Sequence, residues 1–230
     1  GKVLTIVGES GSGKTTVIRA LMGLLPVGGE VTEGTMIFNG QDLRTLSKSQ
    51  WRSIRGKDMA MIFQDSGSAL DPIVRIGKQF RELFKSHIEI TNDECDPRAI
   101  ELLESVSLPN GADILRRYPH ELSGGQRQRV GIAMALALDP ALLIGDEPTS
   151  ALDVTTQSQV VMQMLELAKE HNSAIVMVTH NLGVAAYISD YIIVMKKGRV
   201  VDAGTPQDIL ENPSNEYTKQ LKDAVPTLEG

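Results

Sequence analysis

A glycine-rich segment, Gly8–Thr15, constrains the fold of this chain more than any other feature. It reads GESGSGKT, the complete pattern of a phosphate-binding loop. An apolar, β-branched run at Lys2–Val7 precedes it, and a segment of helical composition at Thr15–Leu25 follows. A strand that turns through glycines into a helix can surround an anion with backbone N–H groups and the positive end of the helix dipole. The sequence therefore predicts an α/β fold with a nucleotide phosphate site at this loop.

Side chains of the loop suit two further tasks. Lys14 can reach the β- and γ-phosphates of a nucleotide, and the Thr15 hydroxyl suits a Mg²⁺ position. The alternative is a chance turn of glycines and serines, which the flanking strand and helix patterns argue against. We assign nucleotide binding to Gly8, Ser10, Gly11, Ser12, Gly13, Lys14, Thr15 and Thr16.

Apolar runs alternate with helical segments along the rest of the chain. This alternation predicts a mostly parallel sheet core whose functional loops lie at the carboxyl ends of the strands. The predicted strands are Met59–Phe63, Ala141–Ile144 and Ala174–Thr179, and the predicted helices are Gly124–Leu138 and Thr155–His171. Antiparallel elements are expected at Thr35–Phe38 before the Asn39-Gly40 turn, and in a hairpin of Tyr191–Met195 with Arg199–Asp202.

The segment from about residue 65 to residue 120 differs from its flanks. Helical patterns around Ile76–Lys85 and Pro97–Val106 are separated by polar and turn residues. We expect one domain over residues 1–230, with a catalytic core of residues 1–64 and 121–230 and a helical subdomain of about 65–120.

Two adjacent carboxylates, Asp146 and Glu147, come directly after an apolar strand. Asp146 is placed to hold Mg²⁺ directly or through water, and Glu147 can orient an attacking water or accept its proton. An Asp-Glu pair after a strand is more often only a solvated loop. In a chain with a phosphate-binding loop, the catalytic reading is favoured.

Leu122–Gln126 reads LSGGQ and leads into a helix, so Ser123, Gly124, Gly125 and Gln126 could form a second anion-binding surface. The alternative is an N-cap at Ser123 followed by a glycine turn. One bound nucleotide needs only one phosphate-binding site, so a second anion-binding surface in the same chain needs a separate explanation.

Gln64 and His180 each follow an apolar strand, as Asp146 does. An active-site position is plausible for both, although a single histidine at a strand end is more often a hydrogen-bonded surface residue. Their matching placement favours a catalytic role.

Composition limits the function classes. The chain has 23 Lys+Arg against 29 Asp+Glu and 4% aromatic residues, which argues against a nucleic-acid binder or a base-stacking platform. Cys95 is the single cysteine, which excludes an internal disulfide or a multi-thiolate cluster. The longest apolar run, Val130–Leu138, falls short of the ~18 residues of a membrane helix. These features favour a soluble, intracellular globular protein.

The ordered set of GESGSGKT, Gln64, LSGGQ, LLIGDEP, Ser150–Asp153 and His180 resembles the ATPase subunit of ATP-binding cassette (ABC) transporters. The resemblance implies a P-loop NTPase cassette that binds ATP and Mg²⁺, with Thr15, Gln64 and Asp146 toward the metal. It implies a head-to-tail dimer in which each phosphate loop faces the LSGGQ segment of the other subunit. Gln64 would sense Mg²⁺ and the attacking water, Asp153 would communicate across the dimer, and His180 would hold the γ-phosphate.

Other segments resemble the peptide/nickel importer branch of this family, namely Leu25–Gly34, Ser68–Pro72, Tyr118–Leu122 and Asn215–Pro226. The branch implies two different ATPase subunits, peripheral at the cytoplasmic face of the membrane. They would act on two permease subunits, fed by an external solute-binding protein, with an oligopeptide, a dipeptide or nickel as solute. Residues 65–120 are the candidate permease contact, or else a stabilising subdomain.

The chain departs from the family pattern at two places. The strands and the adenine-stacking aromatic that usually precede the phosphate loop are missing, and Cys95 cannot supply an iron–sulfur cluster. Alternative functions are a soluble cassette ATPase of DNA repair or translation, a kinase or GTPase that shares only the phosphate loop, and a regulatory module without turnover. The length of 230 residues and the net charge of −6 argue against the first.

Overall fold

The computed structural model describes residues 1–64, 69–148 and 154–224, without the side chains of residues 154–159. Asp153 and the rest of the Ser150–Asp153 segment lie outside the described residues. The chain divides into two units. Unit A comprises residues 2–52 and 175–230, and unit B comprises residues 53–174 with Gly1.

Unit A is built on short strands rich in valine and isoleucine. The first strand pairs in parallel with neighbours on both sides, so that Val7 lies opposite Thr179 and Val194, while the last strand pairs antiparallel. Apolar runs of this kind suit parallel strands, which are buried on both faces. The strands in spatial order are β6 (Ala174–Thr179), β1 (Val3–Val7), β7 (Tyr191–Lys196) and β8 (Arg199–Gly204).

The first helix of unit A, α1 (Lys14–Leu21), ends before its predicted limit at Leu25. Gly23 takes a φ of +60° and donates its N–H to the carbonyl of Ala20, which closes the helix early. The short antiparallel pair is β2 (Ile37–Phe38) with β3 (Gln41–Asp42), followed by a 3₁₀ turn at Leu43–Thr45. The other helices are α2 (Lys48–Ile54), which runs on into unit B, α8 (Leu182–Ile188), α9 (Pro206–Glu211) and α10 (Glu216–Asp223).

The core of unit A gathers apolar side chains from strands and from the last helices. Tyr217, at the start of α10, is the largest of them. It brings α10 into the same apolar cluster as strands β1 and β7. The buried members are Val7, Leu182, Ala185, Ile192, Val194, Ile209 and Tyr217.

A buried carboxylate, Asp202 on β8, anchors the turn that leads into α10. It accepts hydrogen bonds from the amide and hydroxyl of Ser214, at 3.0 and 2.7 Å, and from the amide of Asn215 at 3.2 Å. Burial alone would raise the pKa of Asp202, but the hydrogen bonds that it accepts, chiefly from Ser214 and Asn215, outweigh burial and hold the pKa below its ordinary value. The charged form is therefore part of the fold.

Asp202→Asn is expected to lower the free energy of unfolding at pH 7 by about 1–3 kcal/mol, because hydrogen bonds to a charged acceptor are lost. When the pKa of a carboxylate is lower in the folded state than in the unfolded state, the carboxylate stabilises the folded state at pH values above its unfolded-state pKa. This contribution is lost as the pH falls through the folded-state pKa. The difference between variant and wild type should therefore shrink below about pH 4 in urea unfolding curves. Asp223→Asn, at an exposed position, is the matched control. A difference that stays constant through the acid range would contradict this role of Asp202.

Unit B pairs β4 (Met59–Ile62) in parallel with β5 (Leu142–Asp146), with Ile62 opposite Gly145. Around this pair lie helices whose core includes the fully buried Phe80 and Phe84, with ring centroids 6.0 Å apart. The helices are α3 (Ile76–His87), α4 (Asn92–Ser105), α5 (Gly111–Arg116), α6 (Gly124–Leu136) and α7 (Val154–Glu170).

Helix α4 begins at Asn92 instead of the predicted Pro97. Thr91 and Glu94 form a reciprocal capping box that starts the helix earlier, which leaves Pro97 inside it. Helices α3, α4 and α5 pack on one another within the segment of predicted helical patterns. The boundaries of a separate subdomain at about 65–120 stay a prediction.

The α/β class with mostly parallel strands is confirmed within each unit. Among the helices that the structure describes, none is both long and apolar enough to cross a membrane.

Candidate functional site

The predicted phosphate-binding loop connects β1 to α1 in unit A. Steric constraints explain why glycine is required at several of its positions. A Cβ on Gly8 would lie 2.2 Å from the carbonyl oxygen of Met195 and 2.7 Å from Ser12 Oγ. Gly11 and Gly13 adopt φ angles of +78° and +99°, in the left-handed region that side chains disfavour. The backbone of this loop is therefore available only to glycine at these positions.

Lys14 is buried at the first turn of α1, with 5% of its surface exposed. Its Nζ donates hydrogen bonds to the carbonyls of Gly8, at 2.7 Å, and Glu9, at 3.0 Å. The ammonium group is thus folded back over the loop, where it can neutralise an anion. Ser12 Oγ is also buried and has no hydrogen-bond partner among the described protein atoms. A buried hydroxyl without a hydrogen-bond partner fits a loop that binds phosphate, and so does a backbone that carries no side chains at its glycines.

His180 lies at the same edge of the unit A sheet as this loop. Because Val7 lies opposite Thr179 on parallel strands, Gly8 and His180 each follow a paired residue at the carboxyl end of its strand. His180 is exposed, and Asn181 next to it caps α8 by accepting a hydrogen bond from the Val184 amide at 3.1 Å. The structure therefore places the phosphate loop and His180, the two predicted site elements of unit A, at one edge of its sheet.

Gln64, Asp146 and Glu147 are brought together in the same way in unit B. The register of Ile62 opposite Gly145 puts Gln64, just past β4, and Asp146, the last residue of β5, at the carboxyl ends of neighbouring parallel strands. Asp146 is buried, Gln64 is exposed, and Glu147 is half-buried with a φ of +45°. Gln128 of α6 donates a hydrogen bond to the carbonyl of Pro148, which holds the turn after the carboxylates.

The LSGGQ segment forms the start of α6. Ser123 Oγ accepts the amide of Gln126 at 3.2 Å, and the Gln126 side chain accepts the amide of Ser123 at 3.0 Å, which completes a capping box. Gly124 and Gly125 belong to the first turn of the helix, which confirms the predicted start at Gly124 and the alternative's N-cap at Ser123, with the glycines helical. Their N–H groups come before the first intrahelical bond and have no acceptor within the helix.

Sequence reasoning missed a contact that braces the phosphate loop. The amide of Glu9 donates to the hydroxyl of Tyr217 at 2.8 Å, and the amide of Gly198 donates to the carbonyl of Ser12 at 3.0 Å. Both partners lie more than a hundred residues away in sequence, so no local pattern could have shown them.

Comparison with known proteins decides the family. Residues 1–150 match the family described as ABC transporter. This chain belongs to the ABC transporter family. The predicted family and its fold class are therefore confirmed for this cassette.

Relatives of the cassette are peptide transport proteins. It is 46% identical over its whole length to the dipeptide transport ATP-binding protein DppD of Lactococcus lactis subsp. cremoris, of which it spans 66%. It is also 46% identical over its whole length to the oligopeptide transport ATP-binding protein OppD of Haemophilus influenzae, of which it spans 71%. These two names support the peptide side of the predicted branch and do not mention nickel.

A solved structure shares the fold. It is described as a dimeric post-hydrolysis state of the ATP-binding cassette MJ0796 bound to ADP and Pi. The TM-score is 0.77 at 30% identity, over 89% of this chain and 85% of that one.

Proposed function

We propose that the cassette is the ATP-binding and ATP-hydrolysing subunit of an importer that takes up oligopeptides or dipeptides through a separate permease. The observation that carries the chemistry is the buried Lys14, held by two carbonyls of a glycine loop that only glycine can build. The peptide class is supported by the names of relatives 46% identical over the whole chain.

Binding of ATP in this proposal uses the loop from Gly8 to Gly13 together with Thr15 and Thr16 at the start of α1. Successive N–H groups and the helix dipole would hold the phosphates, and Lys14 would neutralise their charge. Phosphoryl transfer to water needs mainly positioning and charge stabilisation, so a rigid, cationic loop supplies much of the catalysis.

Mg²⁺ ligands are assigned to Thr15, Asp146 and Gln64. A hydroxyl, a carboxylate and an amide oxygen are hard donors of the type that Mg²⁺ prefers, and the burial of Asp146 suits a carboxylate with a cationic partner. Mg²⁺ held by these residues would supply positive charge that stabilises the negative charge of the phosphates.

Glu147 is the proposed group that orients the attacking water or accepts its proton. His180 would hold the γ-phosphate, and Gln64 would sense both metal and water. The placement of Gln64 and Asp146 at neighbouring strand ends in unit B, and of His180 at the same sheet edge as the phosphate loop in unit A, supports these roles.

A second ATPase subunit is the proposed partner of the LSGGQ segment. The N–H groups of Gly124 and Gly125, which have no acceptor within the helix, and the capped start of α6 support a surface for nucleotide phosphate. In a head-to-tail pair, Ser123 to Gln126 would meet the nucleotide of the other subunit, and Asp153 would communicate across the dimer. The related cassette of known structure is itself dimeric.

The remaining partners follow from the proposed importer. The cassette and a different ATPase subunit would sit at the cytoplasmic face of the membrane on two permease subunits, supplied by a solute-binding protein. Residues of about 65–120 would form the permease contact, and residues 1–64 and 121–230 the catalytic core.

Reconstitution tests this function. The cassette, purified with its membrane partners in proteoliposomes, is expected to take up a labelled dipeptide or oligopeptide only with MgATP inside the compartment that holds the cassette. Labelled nickel serves as the competing solute. Co-purification with ribosomes or DNA in place of membrane proteins, or uptake independent of ATP, would contradict the proposal.

A further inference from the structure

We propose that Tyr217 is a positioning residue for nucleotide binding, which sets the geometry of the phosphate loop from helix α10. The inference rests on the proposed binding of nucleotide phosphate by the Gly8–Thr15 loop. It adds a residue outside the phosphate loop, the LSGGQ segment and the LLIGDEP segment to the machinery of that loop.

One peptide group carries the coupling. The N–H of Glu9 donates to the Tyr217 hydroxyl at 2.8 Å, and the C=O of Gly8 accepts the Lys14 ammonium at 2.7 Å. These two groups belong to the same peptide unit, which is planar and turns as one body. The hydroxyl of Tyr217 therefore sets the direction of the carbonyl that holds Lys14.

The neighbouring peptide group ties the loop more firmly. The carbonyl of Glu9 accepts the Lys14 ammonium at 3.0 Å and the amide of Ser12 at 3.2 Å. A rotation of the Gly8–Glu9 peptide would therefore disturb both acceptors of Lys14 and the turn of the loop. Rotation is opposed at its other end because Tyr217 holds the N–H.

Several contacts fix the position of the Tyr217 side chain. Its ring is buried in the core of unit A, with 7% of the residue exposed, and the Lys196 ammonium lies 4.3 Å from the ring centroid. Asn215 Oδ1 accepts the Tyr217 amide at 2.9 Å, and Asp202 holds the amide of Asn215. The position of the hydroxyl is thus determined by the anchored start of α10.

Tyr217→Phe in the full chain tests the inference, because it removes the hydroxyl and keeps the ring. The Kd for MgADP, measured by titration calorimetry, is expected to rise about three- to tenfold, the usual worth of one buried hydrogen bond. The kcat for ATP at saturation should fall by less than about tenfold, because the Lys14 ammonium itself stays in the loop. Tyr187→Phe, at a residue 78% exposed on α8, is the matched control and should change neither quantity.

A purely structural tyrosine would lower the stability of the variant and leave the Kd for MgADP unchanged. A folded Tyr217→Phe variant with the wild-type Kd would overturn the inference. Asp202→Asn, which loosens the anchor of α10, should raise the Kd in the same direction. The double variant should raise it by less than the product of the two single effects, since both act through one contact.

Hydrogen exchange of the wild-type chain tests the inference without depending on the folding of a variant. Coupling between two sites is reciprocal, so MgADP should slow hydrogen exchange at the amides of α10 as well as those of the loop. Protection of the loop without any change in α10 would overturn the inference. Failure of the wild-type chain to bind MgADP would instead overturn the proposed function.

Discussion

Lys14→Ala is expected to abolish ATP hydrolysis, with a loss on the order of 10³-fold in kcat, and to weaken nucleotide binding. Lys14 is the ammonium that the loop itself presents, buried and held by the carbonyls of Gly8 and Glu9. Without it, the carbonyls of Gly8 and Glu9 lose these hydrogen bonds and the loop loses its buried cation. Phosphate release measured with the partner subunit present gives the turnover, and calorimetry with MgADP gives the affinity.

The control for this loss is another lysine-to-alanine change. Lys78, whose side chain is 64% exposed and pairs with Glu82 at the surface, should tolerate alanine with full activity. Lys14→Arg should also fail, because a planar guanidinium cannot repeat the two contacts of a compact ammonium in the same space. Turnover of a folded Lys14→Ala variant within tenfold of wild type would show that the loop lysine is not part of the reaction.

Glu147→Gln is expected to keep MgATP binding within a few-fold of wild type while turnover falls by about 10²- to 10⁴-fold, the usual contribution of general acid–base groups. Glu147 follows β5 with a φ of +45° and is half-buried. Glutamine has the same Cβ and the same length, so the backbone strain of this position is unchanged by the substitution. The variant therefore removes the basic carboxylate and little else.

Separate measurements of binding and turnover give this prediction its force. Glu82→Gln, on the exposed face of α3, is the matched control and should leave both quantities at the wild-type level. If Glu147→Gln hydrolysed ATP at the wild-type rate, the water would have to be activated by another group. A loss of MgATP binding together with turnover would give Glu147 a binding role instead of a catalytic one.

Local patterns were sufficient for most of the strands and for the loop. Val3–Val7, Ala174–Thr179 and the β7–β8 hairpin are short apolar runs bounded by turn residues, and each forms the expected strand. The end of α1 and the start of α4 were wrong by several residues because residues outside the periodic pattern decided them. The capping box of Thr91 and Glu94 moved the start of α4 before Pro97, and Gly23 closed α1 before Leu25.

The start of α6 shows where a functional prediction and a structural one coincide. Ser123 caps the helix, which the structural alternative expected, and the cap leaves the amides of Gly124 and Gly125 without intrahelical acceptors. The same backbone therefore serves a helix terminus and an anion surface. Contact between these amides and a nucleotide held by the partner subunit would show that they act as an anion surface as well as a helix terminus.

By itself the sequence determined the α/β class, the phosphate loop and the residues that follow the strands, because each depends on neighbours a few positions apart. Only the tertiary structure decided which strand ends meet within each unit and what braces the loop. The hydrogen bond from Glu9 to Tyr217 joins residues 208 positions apart, and Asp202 and Lys196 hold that tyrosine from other elements. Such contacts arise because α10 shares an apolar cluster with residues of β1 and β7, which no periodicity of the chain encodes.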